Sequence, residues 1–148
     1  MDLNRAILLV EDNEDDVFLM KRALKEAQVA NPLYIVEDGQ QAVDYLRGEG
    51  EFADRARYPF PAIVFLDLKL PLKSGHQVLE WIRAQPGLAS LVVVVLTSSD
   101  EPSDVAKSYK LGANSYLVKP PTCEQLTDMA KCFKWYWLEY NHVAAIHD

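Results

Sequence analysis

Five short runs of Val, Ile and Leu, with hardly a polar residue inside them, constrain this chain more than any other feature. They are Ala6–Val10, Leu33–Val36, Ala62–Leu66, Leu91–Leu96 and Ser115–Val118. A strand with one solvated face alternates apolar and polar residues, whereas one buried on both faces reads as a continuous apolar run. Between the runs, apolar residues recur at helical spacing: Val17, Met20, Leu24 and Ala27; Ala42, Val43 and Leu46; Val78, Leu79 and Ile82; Val105, Ala106 and Tyr109. Strand and helix alternate five times. That pattern predicts an α/β, doubly wound, five-stranded parallel sheet with helices on both faces, in the flavodoxin-like order 2-1-3-4-5. Punctuation agrees: Pro102 lies near a helix start, Gly112 sits where a C-cap glycine belongs, and Thr122 with Gln125 suits a capping box. Gly48–Pro61 is expected to be a surface loop, and residues 1–148 to form one domain without an output domain.

In open α/β sheets the ligand site lies beyond the carboxyl ends of the strands. Glu11 and Asp12 follow the first strand and Asp67 follows the third, its neighbour in this order. Three carboxylates brought together repel strongly, so either a proton or a cation must sit among them. An oxygen-only donor set with room for water favours Mg²⁺. The fourth strand ends in Thr97 and Ser98, and the fifth in Lys119 followed by Pro120 and Pro121. Three negative charges, one lysine and one divalent ion sum to nearly zero. Such a site can take a phosphoryl group, with metal and lysine stabilising its oxygens while a carboxylate attacks phosphorus. Singly, each residue has an ordinary reading: an Asp after a strand caps a helix or makes a turn, and Asp38 before Gly39 reads that way. Asp15 and Asp16 are expected to face solvent and the dipole of the first helix.

Four segments in order, VEDNEDD, FLDLKLPLKSG, VLTSS and GANSYLVKP, resemble the receiver domain of two-component response regulators. The resemblance implies that Asp67 is the phosphoacceptor, phosphorylated by a partner sensor histidine kinase. It implies Glu11 and Asp12 as metal-binding acids, with Asp67 and the Lys69 backbone carbonyl completing the Mg²⁺ ligands. Thr97 and Lys119 would bind phosphoryl oxygens. Tyr116 would be the aromatic switch that turns inward as Thr97 moves, altering the surface of the fourth helix, fifth strand and fifth helix. The Lys119–Pro120 peptide would be cis.

The last helix is expected to run from Cys123 to about 141, with Leu126, Met129, Phe133, Trp137 and Tyr140 on one stripe. Aromatics in that number exceed what one core needs. Phe133, Trp137 and Tyr140 are therefore expected at a homodimer interface. The tail FKWYWLEYN resembles the single-domain response regulators that partner bacterial phytochrome kinases. His142 and His147 have no metal-ligand spacing.

Other readings are less well supplied. A flavin-binding flavodoxin needs a Ser/Thr/Gly-rich phosphate loop after the first strand, where this chain has EDNEDD. An Asp-nucleophile phosphatase commonly needs an acid two residues after the nucleophile, and Lys69 stands there. A degenerate receiver would lack some of Glu11, Asp12, Asp67, Thr97 and Lys119, all of which are present. With 15 Lys and Arg against 22 Asp and Glu, a net charge of −7 disfavours nucleic acid and anionic membranes as partners. No signal peptide or stretch of about 18 apolar residues is visible, and two cysteines make no disulfide framework, so a cytoplasmic protein is expected.

Overall fold

The computed structural model describes residues 5–144. Its strands are β1 (Ala6–Val10), β2 (Leu33–Val36), β3 (Pro61–Leu66), β4 (Val92–Thr97) and β5 (Ser115–Val118). They form one parallel sheet in the order β2-β1-β3-β4-β5. Helices α1 (Glu14–Glu26), α2 (Gly39–Arg47), α3 (Gly75–Ala84), α4 (Pro102–Lys110) and α5 (Cys123–Phe133) alternate with them.

Both faces of the sheet are covered, which is why the strands lack polar alternation. Ile7, Leu9, Phe65, Val94 and Leu96 point to one face, against Met20 and Leu24 of α1 and Leu126, Ala130 and Phe133 of α5. Leu8, Val10, Val64, Leu66 and Val93 point to the other, against Ala42, Tyr45 and Leu46 of α2 and Val78, Leu79 and Ile82 of α3. Each such Leu, Ile or Val contributes about 1.5–3 kcal/mol on burial.

Local chemistry sets the helix starts. Asn13, Asp38, Ser74 and Thr122 accept the backbone N–H three residues on, and Ser74 with Gln77 completes a capping box. Asp38, expected in a turn, is thus the N-cap of α2. Among the described residues no helix is long and apolar enough to cross a membrane.

Gly48–Pro61 is the surface connection expected, and it is pinned: the Arg55 guanidinium donates to the carbonyls of Tyr45 (2.7 Å) and Leu46 (2.9 Å), and the Tyr45 hydroxyl donates to that of Pro59 (2.8 Å). Phe52 closes the loop, its ring 5.1 Å from Tyr45 and 5.2 Å from Tyr58. The structure alters two other expectations. The expected stripe on α4 does not face the core. Ala106 and Tyr109 are exposed and Val105 is half-buried, while Ser108 points inward. Ser108 can be buried because its hydroxyl donates to the Asp104 carbonyl (2.8 Å) and contacts His76 Nε2 at 2.9 Å, so α4 meets α3 through a polar contact. Finally, α5 does not continue as one α-helix. From Lys134 to Tyr140 the chain is a π-helix, with the Asn141 amide donating to the Tyr136 carbonyl at 2.6 Å. The wider turn makes Leu138, five residues after Phe133, the buried residue of the tail and leaves Trp137 half-buried.

Candidate functional site

The parallel ladder itself delivers the site residues. Just beyond the strands, the Glu11 amide donates to the Val36 carbonyl (3.0 Å), the Asp67 amide to Val10 (3.2 Å) and the Lys119 amide to Thr97 (2.7 Å). Glu11, Asp67, Thr97 and Lys119 are therefore held in register at one edge of the sheet. Gly75 fixes the approach of α3: a Cβ there would lie 2.1 Å from the Asp67 carbonyl oxygen, so only glycine lets the helix start so close.

Glu11, Asp67 and Thr97 are buried and Asp12 is exposed. Carboxylate oxygens of Glu11, Asp12 and Asp67 all lie within 4.8 Å of one another. The Lys119 ammonium has three N–H donors, and three carboxylates take them. It bonds Glu11 Oε1, Asp67 Oδ2 at 2.9 Å and Asp16 Oδ2 at 3.0 Å. The other oxygens use backbone donors: Glu11 Oε2 accepts from the Asp12 amide (3.0 Å), and Asp67 Oδ1 from the Leu68 amide (2.7 Å).

Titration behaviour reflects this packing. Burial pushes the Glu11 carboxyl up to about 7, against the opposing hydrogen bond from Lys119 and with help from the charge on Asp67. Burial acts upward on Asp67 too. There the hydrogen bond and charge of Lys119, with hydrogen bonds from Glu11 and Thr97, outweigh it and hold the carboxyl below the usual range. Burial would lower Lys119, but its bonds to Glu11 and Asp67 win and its pKa is raised. Asp67 is thus the carboxyl held ionised, as a nucleophile must be, while Glu11 is the one that takes up a proton near neutral pH.

The Tyr116 hydroxyl donates to the Ser99 carbonyl at 2.9 Å, and the Ser99 amide lies 3.5 Å from Thr97 Oγ1. Tyr116 thus touches the same loop as Thr97. The Lys69 amide lies 3.5 Å from Asp67 Oδ1, so the segment that would offer the Lys69 carbonyl wraps the acceptor. No peptide bond among the described residues is cis, and Lys119–Pro120 is trans, contrary to expectation. Trans is the lower state of an X–Pro bond by about 0.5–1 kcal/mol, and the Lys119 chain reaches all three carboxylates from it.

The aromatic tail divides differently from its expected stripe. Phe133 is core, its ring 4.6 Å from Phe65, and it is not available to a partner. Trp137 is half-buried against the same cluster, beside Tyr136 at 5.0 Å. Trp135 and Tyr136 are each 59% exposed and Tyr140 68%. His147 lies outside the described residues. Asp16, expected with Asp15 to face solvent and the helix dipole, instead bonds Lys119 in the site, and Gly75 was not singled out from sequence. A signal for Gly75 existed in the motif around Ser74; none distinguished Asp16 from Asp15.

A parallel five-stranded sheet with this acid cluster, threonine and lysine at its carboxyl edge defines a phospho-receiver. The chain belongs to the response regulator receiver domain family, which matches residues 7–131. It is 38% identical over 135 residues to Response regulator Rcp1 of Synechocystis sp., covering 91% of this chain and 90% of that one. A Mn²⁺-bound structure of Rcp1 superposes with a TM-score of 0.85 at 38% identity, over 95% of this chain and 99% of the other. Phosphorylated RcpA, a cyanobacterial phytochrome response regulator, gives 0.88 at 37% identity, over 96% and 99%. A response regulator in red light signaling of R. palustris gives 0.91 at 30% identity, over 95% and 99%. Receiver domains bind Mg²⁺, and the all-oxygen donors of Glu11, Asp12 and Asp67 fit that hard cation. A metal held by these residues would offset negative charge on acceptor and phosphoryl oxygens.

Proposed function

We propose that the protein is a single-domain response regulator that receives a phosphoryl group on Asp67 from a sensor histidine kinase of the phytochrome type, in the cytoplasm. The observation that carries this reading is the convergence of Glu11, Asp12 and Asp67 on one point with Lys119 bonded to the acceptor. An Asp67 carboxylate oxygen attacks phosphorus, the P–N bond to the kinase imidazole breaks, and its electron pair returns to the imidazole nitrogen. The product is an aspartyl phosphate. Glu11, Asp12, Asp67 and the Lys69 carbonyl would hold the metal, while Thr97 and Lys119 would bond phosphoryl oxygens. The role is signalling rather than turnover, since Lys69 stands where an Asp-based phosphatase would carry its acid.

The new phosphoryl oxygens draw Thr97 towards Asp67. The loop holding Ser99 shifts with it, and Tyr116 moves too because its hydroxyl bonds that loop. The surface of α4, β5 and α5 is thereby altered, as far as phosphate contacts differ between the two states. Self-association through the exposed rings of Trp135, Tyr136 and Tyr140 is the accompanying reading. A net charge of −7 supports protein partners rather than nucleic acid.

The test is incubation with acetyl phosphate and Mg²⁺, comparing the native chain with Asp67→Asn. Acid-stable, base-labile phosphoryl incorporation is expected in the native chain and none in the variant. Equal incorporation in both would remove Asp67 from its role.

A further inference from the structure

The Lys119 ammonium holds three carboxylates, and two of them are committed elsewhere once the site is used. Asp67 becomes the acyl phosphate, and Glu11 belongs to the cluster that would take the metal. Asp16 is outside that cluster and is not phosphorylated. Its Oδ2 lies 3.0 Å from Lys119 Nζ, with the Lys119 side chain 17% exposed and that of Asp16 37%.

Asp16 is also placed rigidly. It is the third residue of α1, and its amide donates to the Asn13 side chain at 3.0 Å, which fixes the backbone from which its carboxylate projects. Lys119 needs such a guide. Beside it lies a crevice of about 50 Å³ whose lining joins the apolar Leu19, Met20, Leu96 and Leu126 to the carboxylates of Glu11 and Asp16. The apolar part of that lining offers the four-carbon stem no polar contact to choose among its rotamers. Only the ammonium end can be steered, and Asp16 is the partner that steers it from α1.

We propose that Asp16 is a positioning residue, which anchors the Lys119 ammonium from the first turn of α1 and keeps it over the phosphoryl site throughout the reaction. This rests on the reading of Asp67 as acceptor. Phosphoryl transfer forms the Asp67 O–P bond and, with acetyl phosphate, breaks the P–O bond to acetate, which leaves with the electron pair. Lys119 must meet a phosphoryl oxygen during that step. With Asp16 absent, the ammonium loses the one partner that is common to the free and phosphorylated states.

The experiment compares full-length native protein with Asp16→Asn, Asp16→Glu and Asp15→Asn. Asp15 lies exposed in the same turn, so Asp15→Asn removes the same charge from the same helix end without touching Lys119. Initial phosphorylation by acetyl phosphate at saturating Mg²⁺ is expected to fall about tenfold in Asp16→Asn, as a misplaced catalytic group does. Asp15→Asn should stay within about twofold of native, because the dipole and surface-charge change is shared. Asp16→Glu, which keeps the carboxylate, should recover most of the rate. Slowly exchanging Lys119 ammonium protons, observed by NMR without phosphodonor, should persist in native and Asp15→Asn and broaden in Asp16→Asn. Equal rates and equal Lys119 signals in Asp16→Asn and Asp15→Asn would overturn the proposal. Incorporation surviving in Asp67→Asn would instead overturn the acceptor assignment beneath it, so the two failures are distinct.

Discussion

The cleft at the carboxyl edge of the sheet and the tail beyond α5 satisfy their side chains in opposite ways. In the cleft, Lys119 just beyond β5 joins three carboxyl groups, Asp16 on α1 and Glu11 and Asp67 just beyond β1 and β3. In the tail, Leu138 and Phe133 face the core while Trp135, Tyr136 and Tyr140 keep most of their ring surface outside. Buried charge demands a partner inside the chain, so a polar site closes on itself. Exposed aromatic area carries no such demand and is satisfied by contact with something else. The cleft satisfies its polar groups within the chain, and the tail leaves its aromatic surface to solvent.

That comparison breaks first, and by the largest energy, at Leu138. If the π-helix sets the phase of the tail, Leu138→Ala costs about 3 kcal/mol of unfolding free energy by leaving a cavity against the α1–α5 core. Tyr140→Ala should stay within about 0.5 kcal/mol, as exposed substitutions do. Urea unfolding of both variants checks this. A larger loss at Tyr140 than at Leu138 would mean that the tail keeps α-helical phase, with Trp137 and Tyr140 turned inward.

The second break point lies on the outer rings. Trp135→Ser combined with Tyr136→Ser is expected to weaken self-association about 30-fold, the scale of losing an aromatic anchor from an interface core. Sedimentation velocity over a concentration series measures it, and phosphorylation by acetyl phosphate should be unchanged in the same variant. An unaltered sedimentation profile would take the interface away from these rings. Lost phosphorylation would show that cleft and tail are not separate devices.

The two regions also differed in how far the amino-acid order disclosed them. Glu11, Asp12, Asp67, Thr97 and Lys119 were legible because strand ends are legible: a buried parallel strand is an unbroken apolar run, and the residues just past its end all reach one edge. Asp16 was not. Glu14, Asp15 and Asp16 are chemically alike, and which one meets Lys119 depends on the rotation of α1 about its axis, set by the burial of Met20, Ala23 and Leu24. The orientation of α4 escaped for a related reason, since Ser108 is as acceptable inside as Val105 once His76 and the Asp104 carbonyl satisfy it. In the tail the stripe at α-helical spacing assigned Phe133, Trp137 and Tyr140 to an interface, whereas Phe133 is core, Trp137 is half-buried and Tyr140 is exposed. The change of helical period after Phe133 turns Leu138 inward and leaves Trp135 and Tyr136 outside.

The smallest predicted effect is on metal binding, and it tests whether the cleft is closed by a proton when no metal is present. Glu11 is raised from 4.5 to about 7 in the folded protein, chiefly by burial. A raised folded value means that the native state keeps a proton the unfolded chain releases. The associated stability is full below pH 4.5 and is lost as pH rises through about 7. Asp67 shifts the other way, and its contribution changes only at more acid pH. Mg²⁺ held by Glu11 would compete with that proton, so metal binding is expected to release it. The Mg²⁺ dissociation constant is then expected to be about tenfold weaker at pH 6 than at pH 8, the proton competition set by a group titrating near 7. Calorimetric titration in two buffers of different ionisation enthalpy would count that proton directly, and Glu11→Gln should abolish both the proton release and the pH dependence. Equal affinity at the two pH values, with no proton released, would place the carboxylate already ionised beside Lys119. The cleft would then be balanced by lysine alone, and the contrast with the tail would rest on ion pairing without a shared proton.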